Sequence, residues 1–334
     1  MRRLRVLEAS LKNVIRYHRF LRGLVTRRII DLAFPAVIGL DPTTACNLKC
    51  SFCGPQQLRP SPMTLSLDLF NRVVEESLRH GRRRMLILHN SGEPLLNRDI
   101  YGMIALAKQK KVARVVQFST NGLLLTEENC EKLVRAGLDG LVISVDAYTR
   151  REYAELKGVD CLERVIENAR TMMRVKKRLS SPIPYVSAKM VRRRGFEDTF
   201  APFLKFWREI VDEAALTPFS NWGGQMAYEG TEPLARKRFA CHFLWYYPAI
   251  NPDGKVFFCC ASTSPGAVIG DVTEESLQEI WRGERLARAR RRHLEGRFET
   301  AGPCRNCSYW SEAGVDLDRW LRRKEDGARF TGGG

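Results

Sequence analysis

Six apolar runs alternate with single helical patterns from residue 37 to residue 218, and this alternation restricts the fold more than any other feature of the chain. The runs read as strands at Val37–Leu40, Met85–His89, Arg114–Ser119, Leu141–Val145, Tyr185–Val191 and Ala214–Pro218. Helical spacing of apolar residues falls between them at Leu67–Arg79, Ile100–Lys110, Glu127–Ala136, Leu162–Leu179 and Phe196–Val211. A strand reached from its neighbour through one helix starts from the same end of the sheet, so the strands run parallel. The expected class is α/β, with an open, partial (β/α)6 parallel barrel. Ligand sites in such sheets lie beyond the C-terminal strand ends, in the loops that follow them.

The loop after the first strand carries Cys46, Cys50 and Cys53, a Cys-x3-Cys-x2-Cys spacing. Three thiolates on one short loop can hold three corners of a four-iron, four-sulfur cluster and leave the fourth iron without a protein ligand. An open metal position binds substrate or cosubstrate, whereas a closed four-ligand shell serves structure. After the second strand comes Asn90-Ser91-Gly92-Glu93-Pro94-Leu95, where a glycine permits close backbone approach and a carboxylate can pair with an ammonium group. Ser119 and Asn121 end the third strand, and Ser144 and Asp146 the fourth, although short polar residues there also serve as simple caps. His89 reads equally as a core or a catalytic residue, and Cys130 and Cys161 as small buried residues within helices.

The segment Cys46-Asn47-Leu48-Lys49-Cys50-Ser51-Phe52-Cys53, with an aromatic residue before its third cysteine, resembles the signature loop of the radical S-adenosylmethionine (SAM) enzymes. The resemblance implies a [4Fe-4S] cluster on Cys46, Cys50 and Cys53 whose open iron binds SAM, and cleavage of SAM to a 5′-deoxyadenosyl radical that takes a substrate hydrogen. Gly92-Glu93-Pro94 is similar to the family's Gly-Glu-Pro motif, with Ser91 standing where a first glycine is usual. By the same resemblance Phe52, Gly92, Glu93, Pro94, Ser119, Asn121, Ser144 and Asp146 are the expected SAM-pocket residues.

A second cysteine set lies beyond residue 225: Cys241, Cys259 or Cys260, and Cys304-x2-Cys307. Asp253-Gly254 between extended apolar residues reads as a hairpin turn. Four thiolates from a hairpin and a later loop form a closed site for zinc or a second iron–sulfur cluster. The stretch from Cys241 to Cys307 resembles the SPASM/twitch C-terminal domains of the same superfamily, in the short form with one auxiliary [4Fe-4S] cluster. That resemblance matches Cys259 to the ligand position, leaving Cys260 as buried filler or a hydrogen-atom donor. The expected divisions are a basic amphipathic N-terminal helix over 1–33, the radical SAM core over 34–225, the auxiliary domain over 226–312 and a basic tail over 313–334.

Charge and cysteine use bound the partners. No apolar run approaches the roughly 20 residues that span a bilayer, and arginines interrupt every apolar stretch from Arg2 to Arg28. Ten cysteines in short clustered spacings point to metal binding in a reducing compartment, hence the cytoplasm. The formal net charge is +17, and residues 1–30 hold nine Lys and Arg against Glu8. Such a helix packs on its own domain, binds an acidic partner or lies on anionic lipid, which allows peripheral contact with the inner membrane face. The basic balance suits an anionic small-molecule or glycan substrate such as a sugar phosphate. Flavodoxin or ferredoxin is the expected reductant. Nucleic acid is not expected, since no aromatic-studded RNA motif stands out.

The expected activity is that of a radical SAM oxidoreductase. It oxidises or epimerises a carbohydrate- or aminocyclitol-type C–H with the auxiliary cluster as electron relay. Peptide or protein maturation is the second reading, and a non-catalytic iron–sulfur or RNA-binding protein is a third of another class.

Overall fold

The computed structural model describes residues 33–54, 61–217, 219–226, 238, 240–261, 264–300 and 302–310. The basic segment 1–30 and the tail 313–334 lie outside the described residues.

Strands β1 (Val37–Leu40), β2 (Arg83–Ile87), β3 (Ala113–Thr120), β4 (Gly140–Ser144), β5 (Tyr185–Val191) and β6 (Glu213–Thr217) pair in sequence order, all parallel. Their crossovers are α1 (Leu67–Arg79), α2 (Ile100–Gln109), α3 (Glu127–Ala136), the pair α4 (Arg150–Lys157) and α5 (Leu162–Arg178), and α6 (Glu197–Arg208). The open parallel arrangement is the expected one, with element ends moved by a few residues. The shift that bears on the site is in β2, which ends at Ile87, so His89 leaves the strand and enters the loop beyond it.

The helix α4 is not marked by periodicity, because only Tyr153 and Leu156 are strongly apolar in Arg-Arg-Glu-Tyr-Ala-Glu-Leu-Lys. Its ends are fixed locally instead. Thr149 accepts from the Glu152 amide and Glu152 accepts from the Thr149 amide, a capping box, while Gly158 closes the other end at φ +76°.

A second difference concerns the C-terminal part. β7 (Ala249–Ile250) pairs parallel with the free edge of β1, and β8 (Lys255–Phe257) and β9 (Val268–Asp271) add antiparallel strands, making one nine-stranded sheet in the order β6-β5-β4-β3-β2-β1-β7-β8-β9. The expected Asp253-Gly254 turn joins β7 to β8, with the Gly254 amide donating to Asn251 O at 3.0 Å and Gly254 at φ +87°. Helices α7 (Leu277–Arg282) and α8 (Glu284–Leu294) follow. The α7 start is tied to α1 by the buried Glu76 carboxylate, which accepts from the Leu277 and Gln278 amides at 2.9 and 2.8 Å.

Side chains alternate across the sheet. Ile38, Leu40, Leu86, Val116, Phe118, Leu141, Ile143, Val186, Ala188 and Met190 form one face and join the core with Phe70, Met103, Leu133 and Val165 from the helices. Each fully buried Leu, Ile or Phe contributes roughly 1.5–3 kcal/mol, so this layer holds the helices against the sheet. The strand registers put Val37, Ile87, Gln117, Ser119, Val142, Ser144, Ser187, Lys189 and Glu213 on the opposite, inner face. That face is mixed in polarity. The Tyr247 ring covers its β1 edge at Gly39, where an added Cβ would stand 2.6 Å from the ring.

Candidate active site

The first cysteine loop leaves β1 and is fastened from several sides. The Ala45 amide donates to Thr43 Oγ1 at 3.1 Å, Ser51 N to Leu156 O at 2.9 Å, and Glu93 N to Ala45 O at 2.8 Å. Gly92 lies against the same loop. A Cβ there would come within 2.2 Å of Thr43 O and 2.4 Å of Ala45 O, so the position admits no side chain. Cys46, Cys50 and Cys53 are each half-buried, with Leu48 buried beneath them.

Glu93 links this loop to the end of β3. It is 2% exposed, and its carboxylate accepts from Thr120 Oγ1 at 2.8 Å, the Asn121 amide at 2.8 Å and the Leu95 amide at 3.2 Å. Burial raises its pKa and these donors act in opposition. Pro94 is buried and opens the short 3-10 turn Pro94–Leu96. Asn121 then reaches the cysteine loop, donating from Nδ2 to Asn47 Oδ1 at 2.7 Å and standing where it favours the thiolate of Cys46. Gly92, Glu93, Asn121 and Cys46 therefore form one connected unit.

Ser119 is held by His89. Its amide donates to His89 Nδ1 at 3.0 Å, which assigns the ring proton to Nε2, and Nε2 lies 3.3 Å from Ser119 Oγ. The imidazole pKa is lowered to about 4 by burial and by the Lys189 cation, so the ring is neutral near pH 7. Both its nitrogens are engaged by Ser119, which makes His89 a support for that residue.

Ser144 and Asp146 converge on a residue that sequence reasoning passed over. Lys157, at the end of α4, donates to Asp146 Oδ2 at 2.6 Å and to Ser144 O at 3.1 Å. The pair is buried, with side chains 3% and 2% exposed. Ser144 Oγ donates to the same Asp146 oxygen at 2.6 Å and the Val191 amide to the other at 3.1 Å. Asp146 takes φ +65°, a conformation Asp tolerates better than most residues. The Lys157 ammonium also stands 5.4 Å from the centre of the Phe52 ring. Burial opposes its charge, but Asp146 and Cys50 outweigh that and raise its pKa. The signal was the Thr149-x2-Glu152 box, which defines the helix that delivers it.

Burial raises the pKa of both Cys46 and Cys50, while the Lys157 charge pulls each down. A soft metal that binds thiolate removes this conflict. Among the described residues no three His, Cys, Asp or Glu side chains converge as ligands of a single metal ion. A cubane cluster holds each thiolate on a separate corner, so this donor set of thiols alone, without carboxylate or imidazole, fits an iron–sulfur cluster.

The second set gathers in the C-terminal part. Burial comes first in raising the pKa of Cys241 and Cys259, followed by repulsion from other thiols of the set. Cys304 is pushed up to about 12 by burial and by Cys307. Cys259 interacts with Cys241, Cys260, Cys304 and Cys307, while Cys260 interacts with Cys307 and Cys241 and its thiol lies against Tyr247. Cys260 sits in an aromatic group in which Phe243 stacks on Tyr309 at 5.3 Å and His242 on Tyr246 at 5.2 Å. This donor set too consists of thiols alone and fits an iron–sulfur cluster.

Asn221 and Trp222 join the two cysteine loops. Asn221 Nδ2 donates to Asn306 O at 2.8 Å and its Oδ1 accepts from the Ser308 amide at 3.1 Å. Trp222 Nε1 donates to Phe52 O at 3.1 Å. No motif flagged them, since the contacts span 85 and 170 positions of sequence. Cys130 is buried in the core as expected, and Cys161 is half-buried at the start of α5 and not inside a helix.

Known proteins match both halves. The Radical SAM superfamily profile matches residues 40–186, and that of the SPASM iron–sulfur cluster-binding domain residues 241–308. The chain is 33% identical over 133 residues to a probable GTP 3′,8-cyclase of Methanococcus vannielii, covering 39% of this chain and 43% of that protein. It is 27% identical over 207 residues to molybdenum cofactor biosynthesis protein 1 of Drosophila melanogaster, covering 59% and 35%. The matches thus span less than half of either relative. Among solved structures, BtrN in complex with AdoMet and 2-DOIA superposes with a TM-score of 0.57 at 17% identity, over 82% of this chain and 93% of that one. Streptococcus suis SuiB bound to the precursor peptide SuiA gives 0.63 at 16% identity, over 92% and 77%. At these identities the likeness to solved structures is one of fold. With an open parallel sheet, a thiol triplet beyond its first strand and a second thiol set in its C-terminal part, the chain carries a radical SAM domain over residues 40–186 and a SPASM iron–sulfur cluster-binding domain over residues 241–308.

Proposed function

We propose that this enzyme removes hydrogen from a carbinol carbon of a polyhydroxylated, carbohydrate- or aminocyclitol-like substrate, oxidising or epimerising it. When bound, SAM and the cluster on Cys46, Cys50 and Cys53 supply a 5′-deoxyadenosyl radical, and a cluster on Cys241, Cys259, Cys304 and Cys307 supplies a one-electron acceptor. Cys259 is linked electrostatically to Cys304 as well as to Cys241 and Cys307, whereas Cys260, which lies against Tyr247, is linked to Cys241 and Cys307, and this favours Cys259 as the fourth ligand. Tyr247 covers the inner face, and its partner Cys260 is the residue on that side that could return a hydrogen atom in an epimerisation.

The observation that carries the reading is the polar inner face beside the first cysteine loop. Ser119, Ser144, Ser187, Lys189 and Glu213 occupy it in register, and hydroxyl, ammonium and carboxylate groups match a substrate rich in hydroxyls. Because His89 Nε2–H is directed at Ser119 Oγ, the Ser119 hydroxyl keeps its own hydrogen to donate. Lys189 adds positive charge, suited to an anionic substituent. Among the described residues no helix is long and apolar enough to cross a membrane, and the thiol-rich sites require a reducing setting such as the cytoplasm, with flavodoxin or ferredoxin as electron source.

The test is an anaerobic screen of aminocyclitols, sugars and sugar phosphates against the reconstituted enzyme, reading 5′-deoxyadenosine and the mass of each product. Oxidation appears as loss of one H2, and epimerisation as an unchanged mass in H2O with one carbon-bound deuterium gained in D2O. Turnover confined to peptides would overturn the proposal in favour of maturation.

A further inference from the structure

Arg238 lies three residues before Cys241 and is folded over the Cys304-x2-Cys307 loop. Its Nη1 donates to Arg305 O at 2.6 Å and its Nη2 to Cys304 O. The guanidinium carbon is 4.6 Å from the centre of the Phe298 ring and 5.6 Å from that of Trp310. Nε is buried without an acceptor among the described residues. Among those residues no carboxylate lies within ion-pair distance, and Glu299 acts on it from farther away. Burial works against its charge most strongly, and the groups that favour the charge are first the thiols of Cys307, Cys304 and Cys241. His293 completes the setting: its Nδ1 accepts from the Cys241 amide at 3.2 Å, and burial and Arg238 together lower its pKa to about 3. The imidazole therefore brings no charge of its own.

A guanidinium is charged at any pH an enzyme meets. Held by carbonyls and aromatic rings and half-buried, with Nε shielded, it interacts with nearby negative charge more strongly than a fully exposed arginine does. Reducing an iron–sulfur cluster adds one electron's charge, and net charge and burial are among the quantities that set its potential.

We infer that the half-buried guanidinium of Arg238 raises the reduction potential of the cluster held by Cys241, Cys259, Cys304 and Cys307, making it a better electron acceptor, which presupposes that these thiols hold a cluster as proposed above. Arg238 acts here as a positioning residue, through charge placed beside the ligands and not by touching the substrate.

The experiment is an anaerobic redox titration of the full-length, reconstituted protein followed by electron paramagnetic resonance. Wild type is compared with Arg238→Lys, Arg238→Gln and Arg238→Met, after iron and sulfide counts on each. Removing the charge is expected to lower the equilibrium constant for reduction about tenfold, which for a one-electron couple is about 59 mV. Arg238→Lys is expected to keep most of the wild-type potential, and the cluster on Cys46, Cys50 and Cys53 to be unmoved in all variants. An unchanged potential in Arg238→Gln, or an equal drop in Arg238→Lys, would overturn the inference. So would loss of the cluster from Arg238→Gln and Arg238→Met with normal loading of Arg238→Lys, which would assign the cation to assembly. A wild-type protein with no second cluster would instead overturn the presupposed reading of the four thiols.

Discussion

Replacing Lys157 with Met tests the electrostatic frame of the first site. Lys157 and Asp146 are 3% and 2% exposed and 2.6 Å apart, so removing the ammonium leaves a carboxylate buried without its counter-charge. Breaking such a pair from one side costs about 3–5 kcal/mol. The Ser144 hydroxyl and the Val191 amide still donate to Asp146, which places the expected loss near the lower end, about 3 kcal/mol. Lys157→Met with Asp146→Leu deletes both charges, and apolar replacement of a whole buried pair is often close to neutral. The double variant is therefore expected to regain at least half of the loss. Anaerobic urea unfolding followed by tryptophan fluorescence reads all three proteins. Iron content is a second readout, because Lys157 favours the thiolate forms of Cys46 and Cys50. A single variant within about 1 kcal/mol of wild type, or a double variant no better than the single, would refute the reasoning.

Three other perturbations have defined outcomes. Gly92→Ala sets a Cβ 2.2 Å from Thr43 O, a backbone atom that cannot step aside, so stability should fall by about 3 kcal/mol or more and iron on the first loop should drop, as read by unfolding and iron assay. His89 is depressed from 6.5 to about 4 by burial and then Lys189. Below pH 6.5 the unfolded chain binds a proton there that the fold refuses, so stability declines as pH falls toward about 4, by up to roughly 1.4 kcal/mol per pH unit. His89→Gln should flatten that slope in unfolding midpoints taken across the window, and an unchanged slope would count against it. Asn221→Ala removes bonds to Asn306 O and Ser308 N and should cost about 1–2 kcal/mol, with faster iron loss to a chelator from the second site than from the first.

The parallel order of β1 to β6 was legible because strand and helix periods differ, and a helix between two strands leaves one way back to the sheet. The cysteine loops were legible because ligand spacing is local. Lys157 was not, since its pairing with Asp146 depends on how α4 packs beneath β4, and a lysine in a charged helix reads as solvated. Nor could the joining of β7 to the edge of β1 be read, because β7 has two residues and its partner is chosen by tertiary packing. Asn221 and Trp222 escaped for a related reason. Their hydrogen bonds span 85 and 170 positions of sequence and leave no periodic trace.

The most direct test of the central claim is a count of iron and sulfide per chain after anaerobic reconstitution, with 5′-deoxyadenosine assayed on reduction in the presence of SAM. The account predicts about eight of each, with 5′-deoxyadenosine abolished in a Cys46/Cys50/Cys53 triple Ala variant that keeps about half of the iron. About four iron with one zinc would contradict it, because the second thiol set would then hold a metal that accepts no electron.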